Sequence, residues 1–198
     1  DDGSTEFNIF EMELPEQEGI PIIKIRQENR GAQAARNAGF RKSSGELLLF
    51  WDADVIAEPN FVATLCETLL EHPEAGYAYS NFFWGRKKMK AGKFDAETLK
   101  KQNYIHISAL IRRSVFLPFD ESVKKFQDWD LWLTLLQHGV TGVWVDEYLY
   151  KVIPGGVMSS WLPKCVYKKP WKYIPGVYKT VKKYEDGKRT IQKKHRLV

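Results

Sequence analysis

Asp52 and Asp54 flank Ala53 directly after the apolar run Glu46–Trp51 (ELLLFW). Two carboxylates at i and i+2 leaving a buried strand face one cleft if the chain bends there. They offer hard oxygen ligands to Mg²⁺ or Mn²⁺ and leave coordination positions for phosphates and water. With ten aspartates in 198 residues, one Asp-x-Asp triplet is easily met by chance. An aspartate after a strand also commonly caps the next helix. Surroundings therefore decide the reading. The four histidines and the two cysteines, Cys66 and Cys165, have no zinc-ligand spacing, so any metal here rests mainly on carboxylates.

The elements that must position these groups alternate between β and α signals. Ile20–Ile25 (IPIIKI) is β-branched and reads as a strand. Gly31–Arg41, rich in Ala and Arg without Pro, reads as a helix. Glu46–Trp51 is continuously apolar, as expected of a strand covered on both faces. Pro59–Glu71 carries Phe61, Val62, Leu65, Leu69 and Leu70 at helical spacing, with Pro59 suited to the first turn. Tyr77–Trp84 and Tyr104–Ile111 read as strands, and Asp128–His138 as a helix stopped by Gly139. Val143–Val145 and Tyr148–Val152 read as two further short strands. This order predicts an α/β fold with parallel strands at the centre of its sheet. In such sheets ligands bind beyond the carboxyl ends of the strands, where Asp52 and Asp54 stand.

Several segments occur in an ordered series: Asp1-Asp2-Gly3-Ser4-Thr5, Asn29-Arg30-Gly31, Arg36-Asn37-Ala38-Gly39, Asp52-Ala53-Asp54, Phe119-Asp120-Glu121-Ser122 and Gln127-Asp128-Trp129-Asp130. The series, running from residue 1 to about residue 160, resembles the family 2 glycosyltransferases. The resemblance implies a GT-A-like three-layer α/β sandwich with a mixed, mostly parallel central sheet. It further implies inverting transfer of a sugar from a nucleotide-diphospho-sugar to a hydroxyl acceptor, a glycan or a lipid-linked or cell-surface polysaccharide precursor. By that resemblance Asp1, Asp2, Arg30, Arg36, Asn37 and Asp52 bind the nucleotide-sugar. Asp52 and Asp54 hold Mn²⁺ or Mg²⁺, and Asp128 is the catalytic base. The chemistry agrees with these roles. A diphosphate leaving group develops negative charge that a metal stabilises, and the acceptor hydroxyl must lose a proton during attack. Asp128 is also suited to capping the helix it opens. Asp130 is read as either an organiser of the site or an exposed residue.

Three departures from the family stand out. The βα unit that normally precedes Asp1-Asp2-Gly3-Ser4 is missing, so an N-terminally truncated domain is expected, with an uncovered apolar sheet edge. The family's Glu before the base is Gln127. Its Tyr-Arg-x-His is Tyr150-Lys151-Val152-Ile153, and Ile153 binds neither metal nor phosphate. These departures support an alternative reading, a non-catalytic or incomplete transferase domain that acts as a binding module or as part of a split protein.

Net charge is +5, but residues 164–198 carry 12 Lys/Arg against two acids, which leaves residues 1–163 net acidic. The domain division is therefore 1–162 for the transferase-like body and 163–198 for a basic aromatic extension. Basic and aromatic residues together suit either a solvated extension that packs its aromatics on the body or contact with an anionic membrane surface, and a continuous helix is expected only after Gly176. Nucleic acid is not an expected partner, since no recognised motif accompanies the charge. No apolar run approaches membrane-spanning length, and the opening residues lack signal-peptide character. The expected location is the cytoplasm, peripheral at the inner face of the membrane.

Overall fold

The computed structural model describes residues 1–6, 8–13, 19–155, 174 and 177–197. Helix α1 is Ala32–Lys42, strand β1 Leu47–Leu49, β2 Val55–Ala57, α2 Phe61–Glu71, β3 Tyr77–Trp84, β4 Lys87–Met89, α3 Ala96–Lys101, β5 Leu110–Arg112, α4 Gln127–Gln137, β6 Gly142–Val152 and α5 Tyr178–Lys194. The main sheet runs β1-β5-β3-β6-β2, with β4 added to β3. It is mixed, as expected, but β3–β6 is the one parallel pair among the described strands and the other four pairs are antiparallel. The expectation of mostly parallel pairing is corrected in this respect. β5, which inserts in reverse between β1 and β3, accounts for two of the four antiparallel pairs; the others are β3 with β4 and β2 with β6. Strands β1, β3 and β6 still point the same way, so the β1–α2–β3 crossover keeps its parallel sense but skips one position.

The sheet is covered on both faces. On one side Phe61, Leu65 and Leu69 of α2 pack on Ala78, Leu110, Leu149 and Tyr150. On the other, Trp129, Trp132 and Leu133 of α4 pack on Leu48, Tyr77, Tyr79 and Ile111, joined by Ile191 of α5. β1 divides its side chains accordingly, Leu48 and Phe50 to the α4 side, Leu47 and Leu49 to the α2 side. Its continuous apolar run was legible as two-sided burial for this reason. Gly142 is required where β6 begins: an added Cβ would lie 2.2 Å from the Tyr77 ring.

Two other expected strands differ. Ile20–Ile25 makes an isolated bridge at Ile20 and then runs extended, with Ile22 and Ile23 exposed. No neighbouring strand among the described residues pairs with it. Its ties are to Asp1, through the terminal amine on the Ile25 carbonyl at 2.7 Å and the Gln27 N–H on the Asp1 carbonyl at 3.0 Å. Tyr104–Ile111 is strand only at its end. The Asn103 side chain accepts from Ile105 N–H and His106 Nδ1 from Ser108 N–H, so side chains satisfy backbone donors that a ladder would otherwise use.

The two short strands expected at 143–145 and 148–152 are a single strand, β6, interrupted by a bulge. Eleven residues of β6 lie against eight of β3. Ser80 pairs with Val145, Asn81 with Tyr148 and Phe82 with Tyr150. Asn81 secures the irregularity: its amide donates to Asp146, and its carbonyl accepts from Ala91 N–H and Trp144 Nε1. The C-terminal helix follows Gly176 and docks on the body, burying Val181 and Ile191. Among the described residues no helix is long and apolar enough to cross a membrane.

Candidate functional site

β1 and β2 lie at opposite edges of the sheet, and segment 50–54 carries the chain between them. Asp52-Ala53-Asp54-Val55 forms a turn closed by Val55 N–H on the Asp52 carbonyl at 3.1 Å. Trp51 Nε1 donates to the Val55 carbonyl at 3.2 Å, bracing the turn. The Asp54 carbonyl accepts Ile153 N–H at 2.7 Å, so Ile153 stands beside the second carboxylate, as the register of β2 on β6 requires. The Asp54 carboxylate is half-buried and has no hydrogen-bond or ion-pair partner among the described residues.

Arg36 reaches across from α1 and pairs with Asp52 Oδ1 at 2.5 Å. Arg36 and Asp52 line, with Asp2, Ala32, Phe40 and Trp51, a cleft of about 740 Å³ between α1 and the end of β1. Asp128 lies in the first turn of α4, one residue past its start, and the capping position itself is Phe126. Asn103 Nδ2 donates to Asp128 Oδ2 at 2.7 Å, and Trp129 N–H to Oδ1 at 2.8 Å. Burial raises the Asp128 carboxyl above its ordinary value, against the lowering effects of the Trp129 N–H, the Arg36 charge and the Asn103 amide. Arg36 thus serves as electrostatic partner to both aspartates.

Three residues that sequence reasoning did not single out complete this cluster. His106 packs against both Phe82 and Tyr150, at 5.2 and 5.5 Å between ring centroids. Burial, opposed by Asp52 and assisted by Arg36, lowers its imidazole to about 4, so it is neutral at neutral pH. Tyr150 stacks on Phe82 at 5.2 Å with rings nearly coplanar, and burial next to the Asp128 charge holds its hydroxyl in the protonated form. Asn103 is the third. No motif marked His106 or Asn103, and Tyr150 was marked only as the start of Tyr150-Lys151-Val152-Ile153, because a long loop and a bulged strand bring the three to Asp52 and Asp128.

The remaining sequence-designated residues sit at the rim or behind it. Asp2 Oδ1 accepts from Arg30 N–H at 3.0 Å and from Gln27, and its Oδ2 accepts from Gly31 N–H at 2.8 Å. Burial opposes its ionisation, but these three donors hold its pKa below the ordinary value. Gly31 enters α1 with φ +96°, a conformation suited to glycine. Asp1 is buried, accepts from Ser4 N–H and lies 3.5 Å from Arg26. Arg30 points outward to Glu121 at 2.7 Å. Asn37 is buried and turned away from the cleft: it exchanges two hydrogen bonds of 2.9 Å with the Phe119 backbone and donates to Glu121. Asp130 points away from Asp128 into a separate cluster with Lys194 and His195.

The donor set at the turn is two carboxylates, one with a free oxygen and one wholly free. Among the described residues no group of three or more His, Cys, Asp or Glu converges on one point. Such a pair fits a cation that takes its other ligands from phosphate and water, the usual habit of Mg²⁺.

Residues 1–118 match the sequence model of a family described as Glycosyl transferase family 2. The chain is 39% identical over 62 residues to "Glycosyltransferase GlyA" of Streptococcus pneumoniae serotype 4, which covers 31% of this chain and 9% of that protein. It is 26% identical over 133 residues to an "Uncharacterized glycosyltransferase" of Haemophilus influenzae, covering 60% of this chain and 45% of the other. Among solved structures it is similar to S. aureus TarS 1–349 at TM-score 0.47 and 15% identity, covering 65% of this chain and 42% of that one. The same TarS fragment in complex with UDP gives a TM-score of 0.48. The chain therefore spans less than half the length of the relatives it matches.

Proposed function

Because the chain belongs to glycosyl transferase family 2, we propose that it contributes the donor and base side of an inverting sugar transfer from a nucleotide-diphospho-sugar to a hydroxyl acceptor. The observation that carries the reading is the Arg36–Asp52 pair facing a half-buried, hydrogen-bonded Asp128. Arg36, Asp52 and Asp2 face the donor from the cleft. Asp1, Arg30 and Asn37 act one step behind, fixing the loops around the start of α1. Asp52 Oδ2 and the Asp54 carboxylate would hold Mn²⁺ or Mg²⁺, which when bound supplies Lewis-acid stabilisation of the departing diphosphate. Asp128 takes the proton of the acceptor hydroxyl as the C–O bond forms. Its raised pKa brings it nearer the operating pH, which favours general-base catalysis. Asn103 and Trp129 N–H fix the direction of its lone pairs. A single base on the face opposite the leaving group gives inversion. The acceptor is a glycan or a lipid-linked precursor, met at the inner membrane face with help from the basic 164–198 extension.

A second reading is favoured by Ile153. An exposed isoleucine beside Asp54 cannot replace a histidine, and this supports a domain that binds nucleotide without turnover. Incubating the chain with UDP- and GDP-sugars and Mn²⁺, and following nucleotide release by chromatography, separates the two. Release that is lost in Asp128→Asn supports transfer. Binding of UDP by calorimetry with no release from any donor supports the binding module.

A further inference from the structure

Segment 119–126 leads into α4 and is held from two sides. From α1, Asn37 takes both backbone groups of Phe119 and Gln33 donates to the Val123 carbonyl, and from the loop before α1 Arg30 pairs with Glu121. From α5, Lys194 Nζ bridges Asp120 at 2.7 Å and Asp130 at 2.8 Å. His195 Nε2 meets Asp130 Oδ1 at 2.7 Å, with both side chains almost fully buried. Nearer the start of α5, Tyr184 packs edge-on against Phe126 at 5.1 Å. Gly187 lies against the same ring, where an added Cβ would approach to 3.1 Å.

Phe126 needs this support. It caps α4 in the left-handed region, at φ +60°, with no side-chain cap bond. A bulky residue in that region is strained and persists when its surroundings over-determine it. Trp129 supplies one wall, at 5.9 Å between ring centroids, and α5 supplies the other. The next two residues are Gln127 and Asp128. α5 thus grips the turn of α4 that presents Asp128 at both ends, through Phe126 before it and Asp130 after it.

We infer that α5 is a clamp on the catalytic helix, in which Tyr184, Lys194 and His195 are positioning residues that set the direction of Asp128. The inference rests on Asp128 being the base. It assigns the C-terminal helix a role in the chemistry that its net positive charge does not suggest. Asp120 adds to the grip: its bond to Lys194, with those from Ser122, lowers its carboxyl to about 2, so the bridge is intact at any physiological pH.

The test is amide hydrogen exchange on the full chain, read by mass spectrometry, for wild type, Tyr184→Phe, Tyr184→Ala and Lys194→Met. Expected is exchange accelerated by about 10-fold or more within 126–133 in Tyr184→Ala and Lys194→Met, with α2 and β3 as protected as before. Tyr184→Phe, which keeps the ring, retains wild-type protection. Donor turnover in the two disrupted variants falls about 10-fold in kcat at unchanged KM. Equal protection of 126–133 in all four proteins overturns the clamp, as does loss spread evenly over α2 and β3. Failure of the transfer reading registers elsewhere, as turnover unaffected by Asp128→Asn.

Discussion

Asp128 carries a carboxylate that burial makes reluctant to ionise, next to an arginine that makes ionisation easier. A base works only when ionised, so turnover should rise with pH through a value above the ordinary 3.8 of Asp and level off beyond it. Asp128→Asn removes that limb. It should lower kcat by roughly 10²–10⁴ with donor affinity nearly unchanged, measured by steady-state kinetics and UDP calorimetry. Joint loss of melting temperature and UDP binding would instead make Asp128 structural. Among the described residues the Asp54 carboxylate has no partner to lose, so its replacement costs the fold little. Asp54→Asn should weaken Mn²⁺-dependent UDP binding by about 10-fold or more, and UDP affinity that is the same in EDTA as in Mn²⁺ would refute the metal role. The place of Asp52 and Asp54 at the end of an apolar strand was legible because that strand is. The approach of His106, Tyr150 and Asn103 to Asp52 and Asp128 was not, since it depends on neighbours from other elements.

At the scale of elements, α1 does two jobs with one face. Arg36 turns to the cleft, while Gln33 and Asn37, at helical spacing around it, turn to segment 119–126. Asn37→Ala would leave the buried N–H and C=O of Phe119 unpaired, and each such loss costs about 1–3 kcal/mol. The variant should therefore be less stable by about 2 kcal/mol or more, checked by urea unfolding, and its donor affinity should fall only as far as its folded fraction does. Helix boundaries were readable to within one or two residues at α1, α2 and α4, where apolar periodicity is strong. β4 and α3 were not foreseen. Lys87–Met89 has no apolar alternation, and Ala96–Lys101 is too short for a period to show. Asp95 caps α3 by accepting from Thr98 N–H at 2.7 Å, and that residue pair was the available signal.

Over the whole molecule, α5 packs on the body: it buries Val181 and Ile191, rests the partly exposed ring of Tyr184 against Phe126 and, Lys194 excepted, turns lysines outward. Tyr167, Trp171 and Tyr173 lie outside the described residues. Within the described helix, association with anionic vesicles has the charge of α5 and the exposed rings of Tyr178 and Tyr184 to draw on. Each basic residue near such a surface contributes about 1 kcal/mol at most, screened over a Debye length of ~8 Å. Cosedimentation should be clear at low salt and largely lost at high salt, and a chain ending at Leu162 should not bind. Equal sedimentation of both lengths would remove the membrane role. The mixed α/β class was legible from the alternation of elements, but the direction of β5 was not, because a strand's sense depends on the path of the loop before it.

The bulge in β6 has its own consequence for how this sequence tolerates change. Ahead of it, Val143 and Val145 face α2; beyond it, Tyr150 and Val152 do, so odd positions give way to even ones. The strand is read in two frames, and the three surplus residues are the frameshift between them. Removing one residue from 146–149 would restore a single frame. Tyr150 and Val152 would then fall in phase with Val143 and Val145 and go on facing α2, while the irregularity that Asn81 holds through Asp146 and Trp144 would shorten. A substitution in this stretch alters a side chain, whereas a one-residue deletion changes the path of the strand past Asn81.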